Sequence, residues 1–354
     1  MSHYEERLEA DLMQIRDWLW NLGEAVEMAV SNAKKTLLLR DEELAYATVL
    51  NDNPINRDSR ECDRLCHRFI ARHLPGAGHL REMASTIRVN VALERVGDYA
   101  VTICREALQL KEPIPERFSV KIDSLADDCI QILRESRKAF RDGNAEQAKA
   151  LMQRARRVQT NMDIVYDSLF AADDRLDGRT MMALFIVFNL LKRVADQAKN
   201  ICDQTVYAVR GIAKIPKVYK VLFLDKAGSS RAQLAVAIGR KIFPETSRYC
   251  AASPTPAAGV PDDLRSFLEE NGLPDENLEI ERLQALEHDF GGYDIIVSLS
   301  GPVSDYLDKV PFHSSALDWS AAIMNADTDF ADIYRALRNE IGQLMTLLAG
   351  DEAD

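Results

Sequence analysis

From residue 4 to about residue 212, apolar side chains recur at helical spacing with almost no strand-like alternation. Leu8, Leu12, Ile15, Leu19, Leu22 and Val26 form one stripe, and Ile122, Leu125, Cys129, Ile130 and Leu133 another. Positions three and four apart share one helix face, so each stripe predicts an amphipathic helix with one buried side. Asp41 ahead of Glu42 and Asn144 ahead of Ala145 are placed as N-caps after short turns. Pro54, Pro75 and the pair Pro113 and Pro115 punctuate the pattern, and Lys111 to Glu116 ends one helix and begins the next. Three helices on each side of that junction are predicted, an all-α half of six helices.

Near Pro216 the pattern changes. Tyr219 to Leu224 is a short apolar run of the kind that forms a buried parallel strand. A Gly/Ser loop follows, then a helical stretch from Ala232 to Ile242. Leu278 to Leu283 and Tyr293 to Leu299 are further strand candidates, and Phe330 to Leu348 a closing amphipathic helix. Strand, loop and helix in alternation predict a small α/β domain. The expected organisation is residues 1–112 and 113–215 as two three-helix repeats, then 218–350 as a parallel-sheet α/β domain.

The first half carries an internal repeat. Arg95-Val-Gly-Asp-Tyr-Ala-Val-Thr-Ile-Cys104 returns as Arg193-Val-Ala-Asp-Gln-Ala-Lys-Asn-Ile-Cys202, 98 positions later (193 minus 95). A duplication of this kind marks one structural unit used twice. One turn before the shared aspartate stands Glu94 in the first copy and Lys192 in the second. The first copy therefore presents two carboxylates on one face and the second only one.

Composition narrows the function classes. The chain has 354 residues, enough for two or three domains, with 56 acidic against 44 basic side chains and a net charge of -12. That balance opposes nonspecific nucleic-acid binding and a basic membrane-surface role. The N-terminus is charged and lacks an apolar signal core, and no apolar run approaches bilayer length. The six cysteines show no CxxC pair and are read as buried reduced thiols. A cytoplasmic protein is expected, and its exposed helical faces suggest a homodimer.

The phrase Leu93-Glu-Arg-Val-Gly-Asp98 resembles the signature near the end of each repeat in the PhoU family of phosphate-uptake regulators. Leu22-Gly23, Asp52-Asn-Pro-Ile-Asn56, Pro75 and Leu80-Arg81 line up in order, and the resemblance covers about residues 1 to 212. It implies a bundle of two three-helix repeats linking a phosphate transporter, or its ATPase subunit, to a sensor kinase. It also implies iron or zinc, carried over to Asp52, Asn56, Glu94 and Asp98. Physically, two carboxylates one turn apart repel, and a cation relieves that repulsion while gaining hard oxygen ligands. An ion-pair network is the competing reading. In the second repeat only Asp196 remains, with Lys192 opposite and Ala155 and Gln159 in place of the upstream acidic pair, so no second site is expected there.

Val221-Leu-Phe-Leu-Asp-Lys-Ala-Gly-Ser-Ser-Arg231 resembles the phosphate loop of low-molecular-weight phosphotyrosine phosphatases and related arsenate reductases. In that family a strand leads into a nucleophilic cysteine, and backbone N–H groups plus an arginine at a helix mouth cradle a tetrahedral oxyanion. Ala252-Ser253, Asn271-Gly272, Tyr293 to Val297 and Leu337 to Ile341 follow in order, so the resemblance spans about 218 to 350. Here Asp225 occupies the cysteine's place, and a carboxylate does not replace a low-pKa thiolate. The general acid is ambiguous: Asp318 fits one alignment, and Ile323 takes its place if Trp319 matches a family tryptophan. Asp225, Gly228, Ser229, Ser230 and Arg231 form a candidate loop for inorganic phosphate or another oxyanion, against the simpler reading that Asp225 pairs with Arg231. The reading of the whole chain is a non-enzymatic regulator of phosphate uptake and signalling. Its second domain is a degenerate phosphatase used for anion sensing or partner contact. The alternative is a phosphatase or arsenate reductase with a substituted nucleophile.

Overall fold

The computed structural model describes residues 3–170, 176–211, 217–226, 230–256, 259–286, 290–311, 313–324 and 329–350, with the side chains of 159–168 and 170 left aside. The chain divides into two compact units, Met1–Lys214 and Ile215–Asp354.

The first unit is helical throughout its described residues. In α1 (His3–Leu39) the predicted stripe is the buried face, with Leu12, Ile15, Leu19, Leu22 and Val26 all in the core. Asp41 caps α2 (Glu42–Leu50), its Oδ1 accepting from the Leu44 N–H at 2.9 Å. The expected second helix is divided: α3 (Asp52–His73) starts afresh after Asn51. Pro54 explains the division. It cannot donate to residue 50 in a continuous helix, but in the first turn of a new one no donor is needed. Leu74, at φ 44°, ends α3, and α4 (Ala77–Leu108) follows.

Past Pro113 and Pro115 the chain enters α5 (Glu116–Arg141). Asn144 then caps α6 (Ala145–Phe170) through the Gln147 N–H. Asp177 caps α7 (Gly178–Arg210), accepting from the N–H groups of Arg179 and Thr180, and Gly211 closes it at φ 67°. Helix α7 packs against α4, α5 and α6, and α1 packs against α3, α4 and α5. One apolar core, from Leu12 through Val96 to Ile201, runs through the bundle. No helix among the described residues is long and apolar enough to cross a membrane. The six cysteines are reduced; Cys62, Cys66, Cys104, Cys129 and Cys202 are buried and Cys250 half-buried.

The second unit is a five-stranded parallel sheet in the order β3-β2-β1-β4-β5. Its strands are β1 (Tyr219–Leu224), β2 (Ser247–Ser253), β3 (Ile280–Arg282), β4 (Ile295–Ser298) and β5 (Ser315–Asp318). Helices α8 (Ser230–Ile242), α9 (Asp262–Glu270), α10 (Ser320–Met324) and α11 (Phe330–Ala349) complete it. Central β1 is apolar on both sides because both are covered. Val221 and Phe223 face a core with Leu234, Ile238, Leu337 and Ile341, while Leu222 and Leu224 face one with Leu286, Ile296 and Tyr306. From β1 the chain builds outward to β2 and β3 on one side, then crosses to β4 and β5 on the other. That makes the C-terminal ends of β1 and β4 a topological switch point, the place where open α/β sheets hold ligands.

Candidate functional site

Two places gather the residues singled out from the sequence. The first is where the start of α3 meets the middle of α4. Asn56 Nδ2 donates to Asp52 Oδ2 at 2.6 Å, one turn along α3. Asp52 lies against α4 where Gly97 stands between Glu94 and Asp98; a Cβ on Gly97 would be 3.5 Å from Asp52 Oδ1. That Oδ1 is buried and has no hydrogen-bond partner.

Two of these carboxyls, Glu94 and Asp98, are shifted by burial and by neighbouring acids. Burial, then the charges of Asp98 and Asp52, push the Glu94 carboxyl above its ordinary range. Burial and Asp52 do the same to Asp98, although Asp98 keeps contact with water. Yet the side chains do not converge into a cage. Among the described residues no three His, Cys, Asp or Glu side chains are set to hold a metal ion. The sequence expectation of an iron or zinc set at Asp52, Asn56, Glu94 and Asp98 is thus met by a carboxylate cluster, not by a formed ligand sphere.

The equivalent turn of α7 is built differently. Asp196 is half-buried, and burial raises its pKa while Lys192, Lys199 and Arg193 pull it back down. An ammonium accompanies the carboxylate where the first copy has Glu94.

The second place is the switch point of the sheet. Asp225 follows β1 directly and is 1% exposed. Its Oδ1 accepts from the hydroxyl of Ser300, just past β4, and from the Lys226 N–H at 2.8 Å. Oδ2 is buried with no hydrogen-bond partner. Burial drives the carboxyl upward; Ser300, the Lys226 amide and, more weakly, the Arg231 charge oppose it. Ser300 supplies the side-chain hydrogen bond to Asp225, and the Arg231 charge acts on the same carboxyl. Tyr306 braces the arrangement by donating to the Ser300 carbonyl at 2.7 Å. Ser230 and Arg231 open α8, whereas Gly228 and Ser229 lie outside the described residues.

Sequence reasoning missed Ser300. The available signal was a serine three residues beyond the apolar run Ile295 to Val297, in Ser298-Leu-Ser-Gly-Pro302. Asp318, the candidate general acid, accepts from the Ser320 N–H at 2.8 Å just ahead of α10, and Trp319 is core.

The family model described as the PhoU domain matches the chain twice, over residues 19–107 and 122–205. The helical unit is a tandem of PhoU domains. Among relatives, the phosphate-specific transport system accessory protein PhoU homolog of Pseudomonas putida is 29% identical over 212 residues, 59% of this chain and 83% of the relative. The corresponding PhoU protein of Escherichia coli K12 is 28% identical over 213 residues, 59% of this chain and 88% of its own length. The crystal structure of PhoU from Pseudomonas aeruginosa covers 58% of this chain and 99% of itself at a TM-score of 0.56 and 28% identity. The carboxylate cluster falls within the first PhoU domain and Asp196 within the second. The sheet unit lies beyond both matches.

Proposed function

We propose that this protein is a non-enzymatic regulator of phosphate uptake and phosphate signalling. The tandem of PhoU domains carries this reading, because the relatives sharing it are named as accessory proteins of a phosphate-specific transport system. The helical unit contacts the transporter or its ATPase subunit and a sensor kinase. The sheet unit serves anion sensing or partner contact.

Asp225 supports the absence of catalysis. A buried carboxyl that holds its proton is a poor nucleophile, and one of its oxygens, Oδ1, is taken up by a serine hydroxyl and a backbone amide. When ionised it also repels a phosphate at the mouth of α8. Incubation of the full chain with para-nitrophenyl phosphate and with arsenate is expected to give no turnover. Turnover abolished by Arg231→Ala overturns the non-enzymatic part. Phosphate uptake by cells with and without the gene tests the regulatory part; uptake responding identically to external phosphate in both overturns it.

One observation favours a second role for the first domain. The buried, unpartnered Asp52 Oδ1 beside two carboxylates of raised pKa is a place where iron or zinc would relieve repulsion. Elemental analysis of the purified protein decides it: metal lost on combining Glu94→Gln with Asp98→Asn supports the site, and metal-free wild-type protein removes it.

A further inference from the structure

A cavity of about 340 Å³ opens between α1, the first half of α4, the end of α5 and the last turn of α7. None of Asp52, Asn56, Glu94 or Asp98 lines it, and its volume falls within the range of small-molecule sites. Leu19, Val89, Leu93 and Phe140 supply an apolar wall. Beside that wall stands Trp20, with the guanidinium carbons of Arg141 and Arg137 at 3.9 Å and 4.6 Å from its ring centroid.

Three guanidiniums, Arg16, Arg137 and Arg141, and two carboxylates, Glu82 and Asp142, line the cavity, and they are not paired equally well. Arg137, its side chain 4% exposed, bonds Glu27 Oε2 through Nη1 at 2.8 Å and the Trp20 carbonyl through Nη2 at 2.9 Å. Its Nε is buried without a partner. Glu27 is shared with Arg134, so one carboxylate serves two guanidiniums. Arg141, stacked on Trp20, has among the described residues one carboxylate in salt-bridge range, the adjacent Asp142 at 3.3 Å, and both side chains are well exposed. Such a pair is weak and yields readily to an incoming anion. Arg16, bonded to Glu82 at 2.7 Å and 3.6 Å from Glu9, adds a further guanidinium to the lining together with the Glu82 carboxylate.

We propose that this cavity binds a small organic anion with a flat apolar body. The body lies against Leu19, Val89 and Phe140, and the carboxylate, phosphate or sulfonate is held by Arg141 and Arg16. A bare inorganic anion would leave the apolar wall unused, and a neutral aromatic would leave the weakly paired Arg141 guanidinium unanswered. Because α1 and α4 precede the Pro113–Pro115 junction while α5 and α7 follow it, the ligand touches helices from both sides of that junction. Its binding would register any shift between them.

Two positions allow a test without disturbing the core. Arg141 is well exposed, and Gly78 lines the cavity where an added Cβ would meet nothing within 4 Å. Calorimetry on the full chain with naphthalene-1-sulfonate is expected to show saturable binding. Inorganic sulfate and 1-naphthalenemethanol are each expected to bind at least about tenfold more weakly. Arg141→Gln should weaken the sulfonate by about tenfold or more, and Gly78→Phe should abolish its binding, with both variants melting like the parent. Absence of saturable binding, equal binding of sulfate or of the neutral alcohol, or unchanged affinity in either variant overturns the proposal.

Discussion

Ionising Glu94 places a second negative charge one turn from Asp98 and near Asp52, and part of the water that would screen it has been displaced. Both carboxyls therefore hold their protons more tightly in the folded chain than in the unfolded one. Their contribution to stability is fully present below the unfolded values near 4 and is lost as pH rises through the raised folded values. Glu94→Gln should accordingly stabilise the metal-free protein at neutral pH, by about 0.2–0.5 kcal/mol or roughly one degree in Tm. The gain should disappear below about pH 4, and a lower midpoint at pH 7 would contradict the mutual repulsion of these groups. Asp225 follows the same sign for a different reason, since burial and not a neighbouring acid raises its pKa. In Asp225→Asn the advantage over the parent should grow from acid to neutral pH in urea midpoints, and a flat difference across that range would count against a buried ionising carboxyl.

Between elements, α1 and α5 approach closely at Gly23. A Cβ built on Gly23 would stand 2.1 Å from Arg137 Nε, and that guanidinium cannot swing aside because Glu27 and the Trp20 carbonyl hold it. Gly23→Ala should therefore cost about 1–3 kcal/mol in chemical denaturation, despite the better helix propensity of alanine. A loss below half of that would mean the crossing yields. Elements of this kind were readable where apolar periodicity and caps agree: the stripe of α1, the caps Asp41 and Asn144, and the strand β1 all follow from local sequence. The pattern was silent where burial is not periodic. Strand β2 reads Ser-Arg-Tyr-Cys-Ala-Ala-Ser, mostly small or polar residues, and five of the seven are buried because β2 lies inside a covered sheet between β1 and β3. Strand β5 lies at the sheet edge with mostly exposed side chains, so no alternation marks it. Ser300 escaped for a related reason: its importance comes from β4 lying beside β1, a pairing between residues 75 positions apart (300 minus 225).

Across the whole molecule, the two compact units meet in sequence near Lys214 and Ile215. Each has its own apolar core, so each should fold when produced alone. Residues 1–214 should give a helical circular dichroism spectrum with a cooperative melt, and residues 215–354 a mixed spectrum with dispersed amide resonances. Aggregation or a collapsed amide spectrum from either piece would show that the cores depend on each other.

The burial of the thiols reaches beyond packing. Burial pushes Cys129 and Cys202 up to about 12, and Cys62 and Cys66 lie sealed in the bundle, so almost no thiolate is offered to an electrophile while the chain is intact. Cys250 in the sheet unit is the half-buried exception. A disulfide dye added to native protein should label Cys250 first, and the other sulfurs only as fast as the bundle opens. The chain thus carries its own clock for unfolding, readable in a cuvette with no added label.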